Sequence, residues 1–140
     1  MIEIRDIIKK IDSLQNLSEL DEKTIAEENG YAESVARDMN IKKHLKTTQL
    51  RRIFDRVKTI ERKLNEDGWD AVQPDFYMLR PELAYAKARK LIPYQFFMLM
   101  NACMKQVDKG NDPEQKKENY ATFVRFLEAI VAYHKYHEVK

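Results

Sequence analysis

Three groups of side chains in this sequence have the types and spacing to do chemistry: two histidines near the C-terminus, one thiol, and a run of cations. His134 and His137 are three residues apart, which puts both on one side of a helix, as metal ligands can be. Zinc needs at least a third protein ligand, and Glu138 and His44 are the suggestive extras. The Glu-x-x-His pairs of a di-iron bundle are absent. His134 falls on the apolar stripe of its helix, which favours a packed, hydrogen-bonded histidine and no metal site. Cys103 sits among Met98, Met100 and Met104. A nucleophilic thiol needs a cationic, partly exposed setting, so Cys103 reads as a small buried hydrophobe. There is no glycine-rich phosphate loop, no Ser/His/Asp arrangement and no convergent carboxylate pair. The sequence therefore offers no catalytic residue and calls for no cofactor.

The cations are better organised. Thr47 to Leu64 reads TTQLRRIFDRVKTIERKL, with Leu50, Ile53, Phe54, Val57, Ile60 and Leu64 on one helical stripe. Arg51, Arg52, Arg56, Lys58, Arg62 and Lys63 occupy the remaining arc. Thr47 or Thr48 is expected to cap the start, and the free amides there can also hold a phosphate. Such a helix would be about 27 Å long and can lay cations beside a polyanion. A solvated basic face on a bundle helix is the bland alternative. Downstream, Arg80, Lys87 and Arg89 could meet phosphates while Tyr85 stacks on a base or sugar. Pairing of Arg89 with Glu82 and a buried Tyr85 is the competing possibility.

Helices must position these groups. Ile4, Ile7, Ile8, Ile11 and Leu14 describe a first amphipathic helix. Leu17 to Glu28 is an acidic connection with room for a short helix, ended by Asn29-Gly30. Tyr31 to His44 gives a second helix, and Lys42, Lys43, His44 and Lys46 lead into the basic one. Asp67-Gly68 should close the basic helix, leaving Trp69 to Pro74 as a loop. Pro81 should begin or kink the next helix, with Leu79, Leu83 and Ala86 as its packing stripe. Pro93 opens a Met- and Phe-rich helix to about Val107. Asp112-Pro113 then starts the last helix, with Asp112 as cap and Gln115 as capping-box partner. Tyr120, Phe123, Val124, Leu127, Ile130, Val131 and His134 make it the central one. The fold class is all-α, a single compact bundle of five to six helices spanning residues 1–140.

Composition bounds the rest. Only 3 Gly and 4 Pro, with 34% charged residues, suit long helices. One cysteine excludes an intramolecular disulfide and fits a cytoplasmic setting. No signal peptide or membrane span is visible. The net charge is only +2, but it is unevenly spread. Met1 to Ala36 carries 4 basic and 9 acidic residues, whereas Arg37 to Lys63 carries 10 basic and 3 acidic. A concentrated basic patch can attract nucleic acid even on a nearly neutral chain.

Three segments resemble one family. They are LKTTQLRRIF (Leu45 to Phe54), LRPELAYAKAR (Leu79 to Arg89) and FVRFLEAIVAYHKYH (Phe123 to His137). In this order, in an all-helical chain, they resemble the small subunit of the type III-A CRISPR interference (Csm) complex. The family often has a glycine where this chain has Ala88. The resemblance implies a non-catalytic helical bundle, repeated along the ribonucleoprotein beside the CRISPR RNA (crRNA) and its target RNA. It also implies the backbone and large subunits of the complex as partners. On that basis the expected RNA contacts are Lys46, Thr48, Gln49, Arg51, Arg52 and Arg56, with Arg80, Lys87 and Arg89 behind them. Apolar helices also offer a surface for self-association with neighbouring copies, or for a homodimer in isolation. The rival readings are a helical DNA-binding regulator using Thr47 to Leu64, and a helical adaptor or small enzyme working through His134 and His137.

Overall fold

Apolar spacing decides which side each helix buries, and the described residues follow it closely. The computed structural model describes residues 2–41 and 45–138. Lys42, Lys43 and His44, the leading cations and the third candidate metal ligand, lie outside them. Among the described residues there are seven α-helices, one 3-10 turn and no strand. The helices are α1 (Ile4–Asp12), α2 (Glu22–Ala26), α3 (Tyr31–Ile41), α4 (Thr47–Asp67), α5 (Trp69–Ala88), α6 (Tyr94–Asp108) and α7 (Pro113–Glu138). The 3-10 turn is Leu17–Glu19. Because α2 is little more than one turn, six helices build the all-α bundle.

α7 is the centre. It touches α2, α3, α4, α5, α6 and the 3-10 turn. Tyr120, Phe123, Phe126, Leu127 and Ile130 on it are buried. Its start follows the expected chemistry, since the Gln115 amide donates to Asp112 Oδ1 at 2.8 Å. The Gln115 side chain does not turn back to complete a capping box. It donates instead to Ser18 Oγ at 3.0 Å and Asn119 Oδ1 at 3.1 Å, tying α7 to the 3-10 turn.

The N-terminal helix is docked, with Ile4, Ile7 and Ile11 buried and α6 and α3 beside it. The acidic connection contributes Leu17, Leu20 and Ile25 to the same contiguous core.

The one large departure is at Trp69 to Pro74, expected as a loop and found as the start of α5. Trp69, Val72, Phe76, Leu79, Leu83 and Ala86 repeat at helical spacing and are all buried. Pro74 and Pro81 are inside the helix and exposed. A proline deprives the carbonyl four residues earlier of its partner, and here Asp70 and Tyr77 are exposed too, so water can serve them. Gly68, at φ 88, makes the α4–α5 turn in a single residue, a backbone region that favours glycine.

Candidate nucleic-acid interface

α4 buries Leu50, Phe54, Val57, Ile60 and Leu64 and packs on α7 and α5. Its N-terminal end is fixed from α7. His134 is buried, and its Nε2 lies 2.7 Å from the Leu45 carbonyl oxygen. A carbonyl only accepts, so Nε2 carries the proton and donates. Nδ1 then faces the Thr47 hydroxyl oxygen at 3.4 Å, while the single proton of that hydroxyl goes to Glu138. The expected threonine cap is therefore not made: Lys46 is the N-cap residue, with no side-chain cap bond, and Thr47 serves α7 instead. Thr48 is exposed.

The two histidines do separate structural jobs. His134 holds the start of α4, and His137 Nε2 lies 3.0 Å from Glu33 Oε2 on α3. No group of three His, Cys, Asp or Glu among the described residues is placed to hold a metal ion. Cys103 is fully buried, and burial pushes its thiol far up.

The cations divide into two sets. Lys46, Arg51 and Arg52 are exposed and make no ion pair with any described residue. On the rest of α4, Arg56, Lys58 and Lys63 are compensated, whereas Arg62 is exposed and donates only to the Thr59 hydroxyl at 3.2 Å. Arg56 grips Glu82 through Nε to Oε1 at 3.2 Å and Nη2 to Oε2 at 3.3 Å, which holds its guanidinium firmly protonated. Lys63 reaches Asp75 at 3.6 Å, and Lys58 reaches Glu61 at 2.7 Å, which raises the pKa of that ammonium.

Glu82 is thus the partner of Arg56 and not of Arg89. Arg89 sits 5.6 Å over the Tyr85 ring, and its Nη1 donates to the Tyr85 hydroxyl at 3.3 Å. Tyr85 is 62% exposed, not buried. Gln49, Arg52 and Arg56 recur at helical spacing on the α5 side of α4. With Glu82, Tyr85 and Arg89 they line a groove of about 280 Å³ floored by Ile53, Leu79, Leu83, Ala86 and Leu91.

Arg80 and Lys87 are elsewhere. They lie on the α6 flank of α5, 5.8 Å from the Phe97 ring and 5.5 Å from the Tyr94 ring. Lys87 lines a second recess of about 370 Å³ with Leu45, Lys90, Leu91 and Tyr94.

Leu91 escaped the sequence reading. The Leu91 amide donates to the Ala86 carbonyl at 2.9 Å and the Lys90 amide to that of Lys87 at 2.9 Å, a Schellman closure that folds Leu91 back onto the groove. The left-handed residue in it is Lys90, at φ 62, so no glycine marked the turn. Glu82 as the clasp of Arg56 left only one signal, its charge.

Fold and site define a small all-α protein with open cations along one helix and a groove between that helix and the next. The family model for Csm2 Type III-A matches residues 22–140, and the chain belongs to that family. It is a small subunit of the type III-A Csm complex, a structural component of that CRISPR assembly associating with its other subunits. No curated protein and no solved structure matches the chain. The match begins well before Leu45 and takes in α2 and α3, and α3 packs directly on α7. Among the described residues no helix is long and apolar enough to cross a membrane.

Proposed function

We propose that the chain is a non-catalytic RNA-binding subunit, acting as one domain, that holds the sugar–phosphate backbone of crRNA and target RNA against α4. The observation that carries this reading is the set of uncompensated cations Lys46, Arg51 and Arg52, exposed on a helix whose other basic residues are largely paired internally. A subunit that serves any guide sequence must not depend on base identity. Phosphate and sugar carry none, and arginine on a rigid helix meets them without reading bases. One small subunit offers few contacts. Copies repeated along the assembly in the cytoplasm raise avidity by making successive contacts intramolecular.

The test is affinity purification of the tagged full chain from cells that express the complex. Short RNAs sharing a repeat-derived 5′ tag, together with the other subunits, are the expected yield. Recovery of neither overturns the reading, and sequence-specific duplex DNA in their place promotes the regulator.

A further inference from the structure

We infer that the α4–α5 groove takes one unstacked base of the RNA whose phosphates lie on α4, an inference that rests on the function proposed above. Charge separates the groove from a phosphate site. Its least exposed cation, Arg56, is held by Glu82 through two contacts of 3.2 and 3.3 Å, so each neutralises the other. The floor beneath them is apolar, formed by residues such as Ile53, Leu83 and Leu91. A phosphate gains little in such a setting, whereas a planar base loses water on both faces and gains contact.

Two side chains are poised for a base. Tyr85 is a large ring left 62% exposed at the groove wall, and Arg89 steadies it through its hydroxyl at 3.3 Å. Aromatic rings exposed beside cations form the stacking platforms of single-strand binders, and stacking tolerates any base because every base has a π-face. Gln49 lines the opposite wall from α4, and its side chain makes no hydrogen bond with a described residue. Its amide presents both a donor and an acceptor, so it can meet the edge of more than one base.

Size agrees. Pockets for drug-sized ligands run from about 300 to 1,000 Å³. At about 280 Å³ this groove suits one ring system and excludes a run of nucleotides. Arg52, without an ion pair among the described residues, stands at the rim where the attached phosphate would leave the groove.

The test compares two single-stranded RNA oligonucleotides of equal length and charge, one carrying its bases and one abasic. Both are titrated with the full chain and followed by fluorescence anisotropy. Wild type should bind the base-bearing RNA about tenfold more tightly. Tyr85→Ala should remove that preference, and Tyr85→Phe should keep it, because the ring and not the hydroxyl does the stacking. Tyr85 is exposed, so neither change opens the core. Replacing Arg51 and Arg52 together by alanine should weaken both RNAs equally and leave the ratio intact. Equal binding of the two RNAs by wild type, or a preference that survives Tyr85→Ala, overturns the base site and leaves the phosphate reading standing. Unchanged affinity in the double arginine variant overturns the phosphate reading, and failure to bind either RNA overturns both.

Discussion

Arg56 and Glu82 face each other across the α4–α5 groove in a two-point ion pair, Nε to Oε1 at 3.2 Å and Nη2 to Oε2 at 3.3 Å. Glu82 belongs to one of the segments that carry the family resemblance, and Arg56 lies just past the end of another. It also removes one arginine from the cationic field of α4. Glu82→Gln should therefore release that charge, with Asp75 at 3.8 Å a weaker partner. RNA affinity should rise, and the salt slope of binding should steepen by about 0.7 for one added contact to a single strand. Both groups are substantially exposed, so folding stability should change by no more than about 1 kcal/mol. Anisotropy titrations across a salt series and urea unfolding read the two effects separately. Weaker RNA binding in this variant would show that the pair's role is to shape the groove.

Arg51 and Arg52 carry the opposite expectation. Neither is neutralised by a described residue, so both are available to phosphates. The double alanine variant should lose affinity to the same extent for unrelated RNA sequences. Its salt slope should fall by about 1.4, the equivalent of two single-strand phosphate contacts. Binding isotherms on three unrelated oligonucleotides suffice. A loss confined to one sequence would mean that these arginines read bases.

The all-α class, the stripe of α4 and the central place of α7 were legible because each depends on spacing alone. Leu50, Phe54, Val57, Ile60 and Leu64 can share a face in only one periodicity. The start of α5 was hidden because Pro74 and Pro81 are strong local breakers. What rescued the helix there was the burial of Trp69, Val72 and Phe76, a tertiary effect. The Thr47 cap failed for a similar reason, since the hydroxyl met His134 and Glu138 from a helix 87 or more positions away. The groove was half legible. Spacing put Arg52 and Arg56 on the cationic arc of α4, the resemblance added Gln49, and Tyr85 and Arg89 were set together on the next helix. Only the packing of α4 on α5 brought the two together, and it sent Arg80 and Lys87 to the other flank.

Acid should destabilise the bundle through Glu33. The backbone amide of Asn29 donates to Glu33 Oε1 at 2.7 Å. That bond, ahead of His137 and Arg37, holds the carboxyl below its ordinary value of 4.5 despite the opposing effect of burial. A carboxyl depressed by folding favours the folded state. Its contribution is fully present above 4.5 and is lost as pH falls through the lower folded value. Urea unfolding measured from neutral pH downward should show stability falling below that point. Glu33→Gln should start less stable at neutral pH and fall less steeply in acid. Parallel acid limbs for the two proteins would place the sensitivity on another carboxylate.

Asn119 links the N-terminal part of the bundle to α6 and α7. It is wholly buried, yet every side-chain atom that can hydrogen-bond is engaged. Its Oδ1 accepts from the Ser18 amide at 3.0 Å and from Gln115 Nε2 at 3.1 Å. Its Nδ2 donates to Asn16 Oδ1 at 3.0 Å and to the carbonyls of Gln106 and Val107 at 3.1 and 3.3 Å. One amide thus ties α7 to the 3-10 turn and to the end of α6. Asn119→Ala leaves these partners unserved away from water and opens a small cavity, so it should cost about 2 to 4 kcal/mol. Asn119→Asp keeps the volume and the acceptor but loses the donor, and should also destabilise, because a buried carboxylate would face three acceptors. Urea unfolding gives the magnitude. Hydrogen exchange gives the location, with protection falling first at the amide of Ser18. If α1 and the 3-10 turn kept their full protection in the alanine variant, the apolar contacts of Leu17 and Leu20 would be holding that half in place, and not the amide network.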